Sequence, residues 1–174
     1  YNQFDIKLRN QIRKAERLVN IQCGLDLESF YNINIKTYNR QNRRIPYTLE
    51  ALKRIDNACI ENNCRNIFYA HDDKGNIHAA IYIVWDKNSS YYLMGGTDPQ
   101  YMYSEATSLL IWHAIMYSSK IVNKFDFEGS MVESIEKYFR QFGAIQMPYN
   151  NISKVFKHKF LISIYKSLKG NSGR

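Results

Sequence analysis

The apolar positions of this chain change their spacing twice. In residues 4–18, "FDIKLRNQIRKAERL", Phe4, Leu8, Ile12 and Ala15 form one stripe with Leu18 close by, which predicts a leading amphipathic helix within 1–18. "VNIQCG" (19–24) reads as a brief strand that stops at a glycine. A helix follows in "DLESFYNINIKTYNRQ", with Asp26 as N-cap and Ser29 at N3, and Arg40 to Pro46 is a basic loop. The next helix, 48–63, has Thr48 as its cap and Leu49, Leu52, Ile55 and Cys59 on one face. The period then shortens. Residues 65–72, 76–86 and 89–96 read as three strands joined by tight Asp- and Gly-containing turns, an antiparallel meander. Helical spacing returns at 104–121, with Ser104 as cap and Glu105 favouring the positive helix end. That helix is apolar on nearly every side, so it is expected between the sheet and a second layer. A strand at 124–127, a helix at 131–141 ended by Gly143, a strand at 144–150 and an amphipathic helix at 154–169 complete the pattern.

This order predicts an α/β (α+β) fold: a mixed, mostly antiparallel sheet flanked by helices, in one domain over 1–174. At 174 residues, 45% apolar and 23% charged, the chain can bury a core without disulfides or metal. Cys23, Cys59 and Cys64 are odd in number and lack CxxC spacing, which fits a reducing cytoplasm and predicts no metal centre. No apolar run reaches membrane-spanning length. The net charge of +8 favours anionic partners, although Lys and Arg crowd the first helix and the tail, where solvated helix surface is the plainer reading.

The candidate chemistry lies where the strand at 124–127 hands over to a helix. Asp126 and Glu128 share a strand face if the strand stays regular, and either carboxylate is a candidate general base. The structural alternatives are that Asp126 accepts backbone N–H groups and that Glu128 caps the helix. Ser130, a candidate substrate contact, is equally placed as an N-cap with Glu133 at N3. Gly129 permits positive φ or close backbone approach. Arg140 is either an anion contact or half of a helix salt bridge. On the third meander strand, Tyr92 and Met94 alternate with Tyr91 and Leu93, so one set faces the core and the other is free to line a cleft. His71, His78 and His113 lack metal-ligand spacing, and His113 reads as a core histidine.

"NQIRKA", "DLESFYNI", "YAHDDKGNIHAAIYIVWDKNSSYYLMGG", "SLLIWHAI" and "FDFEGSMVESIEKYFRQFGA" together resemble the GNAT acyltransferase superfamily, in its bacterial Fem-type branch of peptidoglycan aminoacyltransferases. The resemblance covers essentially the whole chain and matches the second of two GNAT-like halves, so it implies an N-terminal half upstream of Tyr1. It further implies acyl or aminoacyl transfer to an amine acceptor, such as a cell-envelope precursor. The implied donor is acyl-CoA or aminoacyl-tRNA, with tRNA then a partner. Backbone groups at Met94, Gly95 and Gly96 would hold the donor carbonyl, and Tyr92, Ser130 and Arg140 would meet substrate. Two departures stand out. "GGTDPQYMYSEA" replaces the family's glycine-rich phosphate loop, and Phe139 stands where relatives carry Tyr or Lys. Both favour the alternative of a non-catalytic GNAT half that shapes a cleft for a partner domain.

Overall fold

The computed structural model describes residues 1–148, 150 and 152–154. The expected C-terminal helix therefore lies outside the described residues, apart from Lys154. The elements are α1 (Ile6–Ala15), β1 (Asn20–Cys23), α2 (Leu27–Arg40), α3 (Leu49–Glu61), β2 (Arg65–His71), β3 (Ile77–Trp85), β4 (Ser89–Thr97), α4 (Ala106–Ser118), β5 (Lys124–Asp126) and α5 (Glu133–Arg140). A 3-10 turn at Pro99–Ser104 separates β4 from α4. The five strands lie in the order β1-β2-β3-β4-β5, antiparallel except for the parallel pair β4–β5.

β3 is covered on both faces. Ala79, Ile81 and Ile83 join the core under α1 and α4, with Leu8, Ile12, Leu110 and Ile111. Ala80 and Tyr82 join a second core under α2 and α3, with Phe30, Ile33 and Leu52. α4 thus packs against the sheet on one side and α1 on the other, which explains why polar residues are scarce all round it.

The caps expected for α2 and α3 form: Asp26 accepts the Ser29 N–H at 2.8 Å and Thr48 accepts the Ala51 N–H at 3.2 Å. In the β2–β3 turn, Asp72 accepts the N–H groups of Lys74 and Asn76, and Gly75 takes a φ of 81°. On α3 the buried face differs from the apolar stripe. Ile55 is exposed, while Asp56 is buried and held by Arg65 Nη2 at 3.1 Å and the Tyr82 hydroxyl at 2.7 Å. A buried carboxylate needs such partners, and removing one would leave a charge without compensation.

Four further expectations need correction. α4 starts at Ala106 rather than at Ser104, because the intervening residues wind into the 3-10 turn and Ser104 Oγ bonds back to the Tyr101 carbonyl at 2.8 Å. The N-cap of α5 is Val132; the Ser130 hydroxyl accepts the Val132 N–H at 3.1 Å, a two-residue turn instead of a cap. His113 is exposed on α4, its ring edge-on to Phe68 at 4.9 Å. Residues 144–148 form no strand.

Candidate active site

β4 carries an irregularity that periodicity does not reveal. Tyr82 faces Met94 across the ladder and Ile83 faces Tyr92, so Leu93 is an extra residue, a β-bulge. The bulge reverses the alternation of faces. Tyr92 and Gly95, three positions apart, both lie on the α4 and α5 face, opposite Ile83 and Ile81. Met94 lies on the α2 and α3 face, opposite Tyr82, where its sulfur accepts the Tyr47 hydroxyl at 3.3 Å. Tyr92 and Met94 therefore do not share a face, contrary to the simple alternation read from sequence.

The register also decides which backbone groups β4 has to spare. Asp98 N–H bonds to the His78 carbonyl at 2.9 Å. Bonded and non-bonded pairs alternate along an antiparallel ladder. Gly96 and Met94 therefore turn their N–H groups to β3, while Thr97 and Gly95 turn theirs away. The Thr37 hydroxyl engages Thr97, accepting from its N–H at 2.7 Å and donating to its carbonyl at 3.1 Å. Gly95 is left facing the far edge. β5 does not cover it, because β5 pairs only with Ser89, Ser90 and Tyr91 and ends at Asp126. Of the three residues Met94, Gly95 and Gly96, Gly95 alone turns its N–H toward the edge of β4 that β5 leaves unpaired.

Each glycine has a local reason. A Cβ on Gly95 would stand 2.2 Å from the Tyr92 hydroxyl oxygen, and a Cβ on Gly96 would stand 2.9 Å from the backbone of Asn34. Gly96 therefore lets α2 settle on the sheet, and Gly95 leaves room for the Tyr92 hydroxyl.

Beyond its pairing with β4, β5 continues into a left-handed pair, Glu128 at φ 60° and Gly129 at φ 68°. The Asp126 carboxylate accepts the Glu128 N–H at 2.7 Å, so it is used in the turn, as the structural alternative held. The strand has ended by then, so Asp126 and Glu128 are not on one regular strand face. Counting on from the Tyr91–Asp126 pair, Glu128 stands level with Leu93. Its carboxylate is exposed, with no partner among the described residues. Arg140 pairs with Glu136 one turn earlier on α5 and donates to Gln146 Oε1 at 2.9 Å, the salt-bridge alternative.

Aromatic rings pack beside the uncovered part of β4. Phe139 is buried and meets Tyr92 edge-on at 6.0 Å and Phe127 at 4.7 Å. Beside it, Tyr138 bonds through its hydroxyl to Ser108 Oγ of α4 at 2.8 Å. Burial pushes the Tyr138 hydroxyl well above the usual tyrosine range, with Tyr92 and Glu105 adding to the effect. Burial alone pushes Tyr92 up to about 12. The sequence pattern singles out Phe139 and not Tyr138, because no periodicity marks the contact between α5 and α4 that brings its hydroxyl to Ser108.

At the start of α4 the family's glycine loop is absent. Asp98 is buried there and pairs with Lys36 at 2.5 Å, and Glu105 caps α4 at φ 58° with no side-chain bond. Sequence pattern marks the segment between α2 and α3 as a basic loop and assigns it no chemistry. Tyr47 ties it to Met94, one residue from Gly95, and Arg43 and Arg44 are exposed on it without a carboxylate partner among the described residues. No group of His, Cys, Asp and Glu among the described residues could hold a metal ion. No helix among them is long and apolar enough to cross a membrane.

Known proteins place this geometry. The chain matches no curated protein sequence. Among solved structures it is similar to FemX, with a TM-score of 0.67 and 13% identity over 95% of this chain and 54% of that one. It thus spans about half the length of FemX. It is also similar to a possible acetyltransferase from Clostridium difficile 630, with a TM-score of 0.61 and 10% identity over 81% of this chain and 99% of that one. A third similar structure is an aminoglycoside 6'-N-acetyltransferase from Acinetobacter baumannii, with a TM-score of 0.55 and 10% identity over 80% of this chain and 98% of that one. At these identities the likeness is one of fold. The family model "Acetyltransferase (GNAT) domain" matches residues 4–131, and the chain belongs to that family.

Proposed function

We propose that this domain transfers an acyl group from an activated donor to the amine of a negatively charged acceptor. The observation that carries the reading is the Gly95 N–H, turned toward an edge of β4 that β5 leaves uncovered. An acyl carbonyl seated there would receive a fixed backbone donor in a site lined by Tyr92, Phe127 and Phe139. Fixed donors aimed at developing oxyanion charge commonly supply about 3–4 kcal/mol each. Tyr138, neutral and half-buried, supplies the leaving group with a proton, and Ser108 orients its hydroxyl. Glu128 accepts the amine proton from the β5 side, with Asp126 fixing its turn. Arg43 and Arg44, on the loop tied to Met94, meet the acceptor's anionic group. Phosphate or carboxylate on the acceptor is the chemistry that arginine forks recognise. A cell-envelope precursor, in keeping with the Fem-type resemblance, has that character. An N-terminal GNAT-like half belongs to this reading as well.

The test uses acetyl-CoA with paired amines that differ only in charge, 2-aminoethyl phosphate and ethanolamine. The phosphate should be preferred, and Arg43→Gln/Arg44→Gln should erase the preference. Tyr138→Phe should lower kcat at least tenfold across the neutral pH range. Full turnover in Tyr138→Phe would reject its role as proton donor. A second reading, a non-catalytic half that shapes a partner's cleft, draws on Phe139 and on Asp98 standing where phosphate would bind. Failure of the well-folded protein to bind any acyl donor would favour it.

A further inference from the structure

We propose that α1 holds the phosphates of the acyl donor, in place of the phosphate loop that this chain lacks. This rests on the acyl-transfer reading but assigns a site that the reading leaves open. Lys7, Asn10 and Lys14 line a concavity of about 470 Å³ whose far wall is Glu105, the cap of α4. A second concavity of about 440 Å³ continues it along α1, sharing Asn10 and Lys14 and adding Arg13 and Arg17. The two shallow concavities adjoin along α1, and Lys7, Arg13, Lys14 and Arg17 give that surface its basic character. None of these four cations has a carboxylate partner among the described residues.

The first concavity reaches the start of α4, the helix that also positions Tyr138. Glu105 joins the first concavity to α4, and three residues on, Ser108 holds the Tyr138 hydroxyl. The alternative place for phosphate is closed: Asp98 is buried after β4, its one cation partner Lys36 already paired with it. A donor whose thioester or ester reaches Gly95, on the α4 face of the sheet, has the unpaired cations of α1 on that face, whereas Arg43 and Arg44 belong to the loop tied to Met94 on the opposite face. The ligand chemistry is two or more phosphates spread along a nucleotide-bearing tail. Both coenzyme A, with its diphosphate and ribose phosphate, and the backbone of an RNA end carry it.

The test is calorimetric titration of the full chain with three probes: acetyl-CoA, acetyl-pantetheine and a 12-nucleotide single-stranded RNA. Lys7→Gln/Lys14→Gln should weaken the phosphate-bearing probe about tenfold and flatten its salt dependence. Acetyl-pantetheine, which lacks those phosphates, should bind the variant and wild type alike. Lys53→Gln/Arg54→Gln on α3 removes the same charge elsewhere and should leave all three affinities unchanged. Which of the two phosphate probes responds identifies the donor. Equal losses in both double variants, or none in the α1 variant, would overturn the proposal, as would a wild type that binds neither phosphate probe. Loss of acetyl-pantetheine binding in wild type would instead count against the acyl-transfer reading. Thermal melts of each variant establish that it is folded.

Discussion

At the scale of single residues, the two adjacent glycines of β4 make opposite demands. Gly95 is crowded by the end of a side chain and Gly96 by the backbone of a helix. Gly95→Ala should therefore cost about 1–3 kcal/mol, as overpacking does. Tyr92→Phe should recover part of it, since removing the hydroxyl leaves the ring carbon at 3.0 Å as the nearest atom. Chemical denaturation of the four proteins in that cycle measures the coupling. Gly96→Ala should destabilise more, and Tyr92→Phe should not relieve it. Additive behaviour at Gly95 and Tyr92 would contradict the packing described. A separate residue-scale effect concerns Asp72, whose carboxyl is held down to about 2, chiefly by the bond from the Asn76 side chain. A carboxyl depressed in the fold adds stability that is complete above its unfolded value near 4 and is lost as pH falls through the folded value. Asp72→Ala should thus be less stable than wild type at neutral pH, and the difference should narrow between pH 4 and pH 2. A constant difference across that range would show that the turn bonds do not depend on the charge.

At the scale of elements, strands and helices were legible wherever side-chain spacing reports burial. The meander, both acidic and Thr caps, and the order of elements through α5 follow from local pattern, because those features are local. The misses have two causes: a contact distant in sequence or one inserted residue in the sheet, and local winding without a period at the helix starts. The bulge at Leu93 changes no composition, yet it moves Tyr92 and Met94 to opposite faces. Asp56 is polar, so pattern leaves it outside; Arg65 and Tyr82 bring it into the core. Pro99–Ser104 carries no helical period, and its 3-10 winding displaces the start of α4. For the candidate site, the strand-turn-helix block and the Gly95 region were visible in sequence. The choice of Gly95 over Met94 and Gly96 needed the ladder register, and Tyr138 needed its contact with Ser108.

At the scale of the whole molecule, the active-site reading reduces to one property of the sheet: β4 is paired on both edges at its start and on one edge after Tyr91. Amide hydrogen exchange measures this directly, because it reports backbone N–H groups one at a time. Met94 and Gly96, bonded into β3, should exchange near the slow limit set by global unfolding. Thr97 should also be slow, since Thr37 on α2 accepts its N–H. Gly95, between them in sequence, should exchange faster by orders of magnitude. Thr37→Ala should release Thr97 and leave Gly95 unchanged, which separates an edge effect from general fraying of β4. An acyl thioester that pairs with the uncovered edge should slow Gly95 selectively. Protection at Gly95 equal to that at Met94 would mean that the edge is sealed. The donor would then have no backbone to meet, and the GNAT fold of this chain would serve something other than acyl transfer.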